Sequence, residues 1–162
     1  MEKFQLLREE ALKNYRIADH MLNVTYPLIQ DTKLLLGVTQ NIFLTLTQAM
    51  SSILHHERLF KLVPPFQDNF ESKFHILQQR RSRYKIDQEY FNIMLELKEV
   101  ILLHKKSPVE FRRKDRFVIC TNNYKVRAIT SNQLKDYLKK TREFLDFMNQ
   151  ITSRNKRIFQ NE

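Results

Sequence analysis

Apolar positions recur at helical spacing along most of the chain. Phe4, Leu7, Ala11, Ala18 and Leu22 share one face of a predicted helix from Glu2 to about Val24, leaving Glu9, Glu10, Lys13 and Arg16 for solvent. Proline disfavours helix in the residue before it, so Thr25-Tyr26-Pro27 predicts a break or bend. Asp31 is placed to cap the next helix by accepting an N–H that has no partner inside it. That second helix is predicted from Thr32 to about Phe60. Leu28, Leu35, Ile42 and Ala49 recur every seventh residue, as do Leu46, Ile53 and Phe60. Gly37, Ala49, Ser51 and Ser52 would let neighbours approach closely, so this is the expected central element. Leu34 to Leu54 is uncharged over 21 residues, long enough to cross a bilayer. Eight of those side chains are polar, among them Thr39, Asn41, Thr45 and Ser52, which suits a helix enclosed by other helices better than one in lipid.

Pro64-Pro65 ends this unit. A third helix is predicted over 66–83 with Phe70, Phe74 and Leu77 inward, running into Arg80-Arg81-Ser82-Arg83. Asp87 then caps a fourth, whose stripe is Tyr90, Met94, Leu97, Ile101 and His104 and which closes at Lys105-Lys106-Ser107-Pro108. After Pro108 the pattern changes. Arg116–Cys120 and Tyr124–Ile129 are short runs rich in β-branched and aromatic residues, and Thr121-Asn122-Asn123 between them predicts a β-hairpin. Thr130 or Ser131 caps a last helix with the stripe Leu134, Leu138, Thr141, Leu145, Met148 and Thr152, flanked by Tyr137, Phe144 and Ile151. From Arg154 onward the chain is expected to fray. The fold class predicted is mainly α: one domain over 1–162, an antiparallel up-and-down bundle of about five helices with a β-hairpin before the last. Residues 1–105 form the bundle core, 109–130 a basic hairpin and 131–153 the final helix.

Composition narrows the chemistry. One glycine and four prolines exclude a Gly-rich phosphate loop and an all-β sandwich. A lone cysteine, Cys120, excludes an internal disulfide and a cysteine-based zinc cluster, and 42% hydrophobic residues is too many for a disordered chain. Met1-Glu2-Lys3-Phe4-Gln5 lacks the basic head and apolar run of a signal peptide, so a cytoplasmic protein without integral membrane association is expected.

The net charge of +10 is concentrated late in the chain. Residues 1–103 hold thirteen Lys/Arg against twelve Asp/Glu, whereas 104–162 hold fifteen against six. The candidate anion-binding residues are Lys105, Lys106, Arg112, Arg113, Lys114, Arg116, Arg127, Lys139 and Lys140. Such a face fits RNA or another polyanion, because Lys and Arg release condensed counterions from phosphates. Tyr124 and Phe117 would add base stacking suited to single strands. Two other readings remain open: a solvated basic face, or a surface for an acidic protein partner. Homodimerisation through the long second or last helix is also expected from their apolar stripes.

Candidate catalytic groups are few. No His-x3-His or Glu-x-x-His pair occurs on one helix face, and in His55-His56-Glu57 the carboxylate is adjacent rather than one turn away. His56 and His104 fall on predicted buried stripes and read as hydrogen-bonded core histidines. Cys120 reads as a small buried residue. Glu9-Glu10 and the pair Glu96 and Glu99 read as solvated helix faces. No metal site and no cofactor are implied. The one catalytic constellation is Arg16-Ile17-Ala18-Asp19-His20, where arginine and histidine lie four apart on one helix face. Such a pair serves RNA cleavage, histidine moving a proton while arginine holds phosphate charge; Asp19 would alternatively pair with a nearby base.

Several antiparallel helices with an Arg/His pair on one of them resemble the HEPN superfamily over roughly residues 1–105. The resemblance implies a small, often dimeric helical domain. Active HEPN ribonucleases carry an arginine, four to six residues, then a histidine, usually with a polar residue after the arginine. Here three residues separate Arg16 from His20 and Ile17 follows the arginine. The resemblance therefore implies a non-catalytic module, with the hairpin an addition to the common core.

Overall fold

The computed structural model describes residues 1–106, 109–120 and 125–154. Helix α1 (Lys3–His20) passes through a π-helical turn (Met21–Thr25) into the short α2 (Tyr26–Ile29). The expected break at Thr25-Tyr26-Pro27 is thus a change of helix type instead. Pro27 sits in the first turn of the resumed α-helix, directly after the π turn. The stop comes at Gln30, left-handed at φ 56°, whose N–H donates to the Tyr26 carbonyl at 2.7 Å. Leu28, predicted with the second helix, lies in α2 and is 82% exposed.

Helix α3 (Lys33–Leu59) is the central element, roughly 40 Å long at 1.5 Å per residue. Asp31 supports its start as predicted, accepting the Lys33 N–H at 3.0 Å. Leu35, Val38, Ile42, Leu46, Ala49, Met50, Ile53 and Leu54 are all buried. The polar side chains that excluded a lipid environment bond largely to backbone. Thr39 donates to Leu35 O and Thr45 to Asn41 O, while Ser52 donates across to Phe4 O at 2.7 Å. Among the described residues no helix is long and apolar enough to cross a membrane.

Cross-element contacts fix the topology. Phe4 meets Ser52 and the Met21 side chain crowds Gly37, so α1 and α3 are antiparallel. Helix α7 (Ser131–Ser153) sets Thr152 beside Arg8 and Arg142 over the Tyr15 ring, antiparallel to α1. Helix α6 (Gln88–Lys106) joins α7 through Tyr137–Glu96 and Tyr90–Glu143, again antiparallel. Chain order α1, α3, α6, α7 therefore runs up, down, up, down. The α7 stripe is buried as predicted, capped by Thr130, whose side chain accepts the Gln133 N–H at 3.1 Å. Its outward positions, Lys135, Asp136, Lys139, Arg142, Glu143 and Asp146, are exposed.

Three expectations are corrected. The third helix is two pieces, α4 (Phe70–Gln79) and α5 (Arg81–Tyr84). Asn69 caps the first by accepting the Ser72 N–H, so the segment after Pro65 stays extended. The buried stripe of α6 is Phe91, Ile93, Met94, Leu97 and Val100, with Tyr90, Ile101 and His104 only half-buried. The shift arises because α6 packs against α3 while also serving two other neighbours, Phe91 meeting Phe74 of α4 and Tyr90 meeting Phe144 of α7. Thirdly, the predicted hairpin has an extra strand. β1 (Val109–Arg113), β2 (Arg116–Cys120) and β3 (Val126–Thr130) form an antiparallel meander in the order β1-β2-β3. The basic side chains of β1 masked its alternation. The expected turn at 121–123 and the fraying segment beyond Arg154 lie outside the described residues.

A Cβ built on Gly37 would lie 2.6 Å from the Met21 methyl, the mobile end of a flexible side chain. Alanine is favoured over glycine inside a helix by about 1 kcal/mol. Thermal melts should therefore find Gly37→Ala neutral or stabilising and Gly37→Leu destabilising, whereas Ile42→Ala, emptying a fully buried site, should cost about 2–5 kcal/mol.

Candidate functional site

The sheet lies over the bundle end where α6 stops and α3 and α7 begin, and its pleat sorts the basic residues. Strand neighbours alternate between faces, and directly paired residues share one. Phe117, Ile119 and Ile129 are buried against the bundle. Register places Arg112 opposite Phe117, Glu110 opposite Ile119 and Arg127 opposite Ile119, all on that inner face. Each inner polar residue meets a bundle group. Arg112 is 3.6 Å from Asp31, Arg127 pairs with Glu99, and Glu110 pairs with His104. The outer face carries Arg113 directly opposite Arg116, then Val118 beside Ala128 and Cys120 beside Val126. Arg113 and Arg116 are exposed, and neither has an ionic partner among the described residues. Like charges directly opposed across strands destabilise a sheet.

The nine predicted anion-binding residues consequently separate. Arg113, Lys114 and Arg116 lie at the β1–β2 turn, one strand length from Lys105 and Lys106 at the end of α6, and all five are exposed. Arg112 and Arg127 are tied to bundle carboxylates. Lys140 is 3.3 Å from Glu89 in the first turn of α6. That is about 24 Å along the helix from Lys105, so Lys140 and the exposed Lys139 beside it belong elsewhere. Phe117, proposed for base stacking, is 1% exposed and packs beneath the sheet near His104, which removes it from that role. Tyr124 lies outside the described residues. Cys120 is half-buried on the outer face rather than buried.

At the turn, a cavity of about 510 Å³ opens between the sheet and the α2–α3 corner. Arg112, Arg113, Lys114 and Asp115 line it from the sheet, and Tyr26, Gln30, Asp31 and Thr32 from the corner. Asp115, left-handed at φ 60°, fastens the turn twice. Its carboxylate accepts the Tyr26 hydroxyl at 2.9 Å, and its carbonyl accepts the Ser131 N–H at 3.0 Å. Burial, and then that bond to Asp115, raise the Tyr26 pKa, so the phenol stays protonated and donating.

Arg16 and His20 are both exposed near the end of α1. His20 Nδ1 lies 3.4 Å from the Thr25 hydroxyl, and Asp19 accepts from Asn23 rather than pairing with a base. Among the described residues, no three His, Cys, Asp or Glu side chains converge as a metal site.

The opposite end of the bundle holds a buried polar network. His56 is 1% exposed, with Nδ1 3.0 Å from Glu57, whose second oxygen accepts the Tyr84 hydroxyl at 2.6 Å. His56 is thus a hydrogen-bonded core histidine, as expected, and its partner is the adjacent carboxylate that helical spacing had set aside. Glu57 and Tyr84 were not predicted. The signal was available for Glu57, which continues the buried series Leu46, Met50, Ile53. Burial raises the Glu57 pKa, but hydrogen bonds from His56 and Tyr84 outweigh it and hold the carboxyl below its ordinary range. Enclosure of all three groups makes this network a structural joint between α3 and α5. Beside it, His55 lines a second cavity of about 540 Å³ with Lys3, Arg58 and Phe66. Burial, then the charges of Lys3 and Lys73, lower its pKa to about 4.

No known protein family, curated protein or solved structure matches the chain, so its functional reading rests on this geometry.

Two stability measurements check the buried end. Tyr84→Phe removes a donor to a buried carboxylate and should cost about 1–3 kcal/mol in urea unfolding. His55 takes up a proton in the unfolded chain near pH 6.5 but in the native one only near 4. Native stability should therefore rise with pH across that window, and His55→Leu should flatten the slope.

Proposed function

We propose that the chain is a non-enzymatic binding module that grips RNA through the sheet-covered end of its bundle. The observation that carries this reading is the outward, cross-strand pair Arg113 and Arg116, exposed and without an ionic partner among the described residues. Lys114 at the same turn and Lys105 and Lys106 on α6 extend the positive surface. Arg112 and Arg127 serve it indirectly, anchoring the sheet to Asp31 and Glu99. The contacts are to phosphate and carry no base readout, so binding is expected to tolerate sequence. The HEPN resemblance fits the same reading as a non-catalytic helical scaffold, because Arg16 and His20 depart from the ribonuclease spacing.

Five phosphate contacts to a single strand give a salt slope of roughly −3.5, so affinity for labelled single-stranded RNA should fall about 100-fold between 50 and 200 mM salt. Arg113→Gln/Arg116→Gln should weaken binding and shallow that slope by about 1.4. Lys139→Gln, distant from the sheet, should leave both unchanged. Wild-type protein that fails to bind at low salt, or a double variant that binds normally, refutes the reading.

A further inference from the structure

The cavity at the β1–β2 turn has features that a merely positive surface does not need. Its volume, about 510 Å³, lies within the range of small-ligand sites. Its two carboxylates are already committed, Asp31 to Arg112 and the Lys33 N–H, Asp115 to the Tyr26 hydroxyl. Arg113 and Lys114 on its wall have no ionic partner among the described residues, and Arg116, directly opposite Arg113, lies outside the lining. The inner end of the cavity is the start of α3, the positive pole of a 27-residue helix. Thr32 lines it there. That residue is 7% exposed, and its hydroxyl is buried with no hydrogen-bond partner among the described residues. A buried hydroxyl without a partner is costly to keep, and a ligand oxygen is one way to satisfy it.

We propose that this cavity binds a phosphate monoester, held by Arg113, Lys114 and the Thr32 hydroxyl. A monoester carries close to two negative charges at neutral pH and three free acceptor oxygens, whereas an internal phosphodiester carries one charge and two. Two lining cations and a positive helix pole favour the former. The group comes either from the end of an RNA strand, in which case the inference rests on the polyanion reading above, or from a free mononucleotide.

The experiment compares three oligoribonucleotides of one sequence, bearing a 5′-phosphate, a 3′-phosphate or neither, by fluorescence anisotropy. Inorganic phosphate and adenosine monophosphate are titrated separately against the ¹⁵N-labelled chain. One phosphorylated end should bind about tenfold tighter than the unphosphorylated strand, and inorganic phosphate should shift the amides of Thr32, Lys33 and Lys114. Thr32→Val removes an unpartnered hydroxyl, so its melting temperature should hold or rise while the end preference disappears. Arg113→Gln should also abolish the preference, and Lys105→Gln should weaken all three strands equally. Equal affinity for the three strands with no response to inorganic phosphate overturns the cavity proposal and leaves the polyanion reading standing. Binding of the mononucleotide or inorganic phosphate at the cavity, with no RNA bound, keeps the cavity and overturns the polyanion reading. A Thr32→Val melting temperature that rises with end preference intact removes the hydroxyl from the site.

Discussion

Helix α3 carries no Lys, Arg, Asp or Glu between Lys33 and Glu57, and that one property dictates the arrangement around it. A helix of that length with buried residues on every side has to be enclosed by neighbours to leave water. Helices α1, α6 and α7 and the shorter α4 supply the cover, α1 running antiparallel to α3 and α7 parallel to it. Gln40 and Leu44 stay exposed along one side, and the two ends are closed separately. One is closed by α5 through the His56–Glu57–Tyr84 joint, the other by the sheet through Phe117, Ile119 and Ile129.

Tyrosine hydroxyls bonded to carboxylates recur as the ties between elements. Tyr26 holds Asp115, Tyr84 holds Glu57, Tyr90 holds Glu143 and Tyr137 holds Glu96. Asp115, Glu57 and Glu96 have no Lys or Arg ion-pair partner among the described residues, while Glu143 also lies 3.9 Å from Lys140. In a chain with a net charge of +10, that leaves cations in excess of their ionic partners, and the sheet decides where the excess is displayed. Alternation turns Arg112 and Arg127 towards carboxylates of the bundle and Arg113 and Arg116 towards solvent. The exposed cationic pair is thereby a by-product of strand register.

Strong helical periods were legible in the sequence because one interaction, burial of an apolar stripe, determined them. The α3 and α7 stripes and the caps at Asp31 and Thr130 belong to this class. Features set by competition between neighbours were not legible. The α6 stripe moved because α3, α4 and α7 share it, and β1 was hidden because Arg112 and Arg113 face opposite ways for different reasons. The Pro27 signal announced a break or bend, and the structure resolves it as a π turn that opens at Met21, the residue packed on Gly37. For the candidate site, the sequence located the basic third of the chain but not its division into paired and unpaired residues. That division needs the register, and the partner residues Asp31, Glu89 and Glu99 lie far away in sequence.

We propose that the exposed cations at the sheet end of the bundle, and not those on α7, meet the polyanion. Amide chemical-shift mapping of the labelled chain with saturating single-stranded RNA separates the two surfaces. The largest shifts are expected at Lys105, Lys106 and residues 112–118, fading along α7 towards Lys139 and Lys140. Shifts centred on the cavity beside His55 and Arg58, or spread evenly over every basic residue, would rule this placement out.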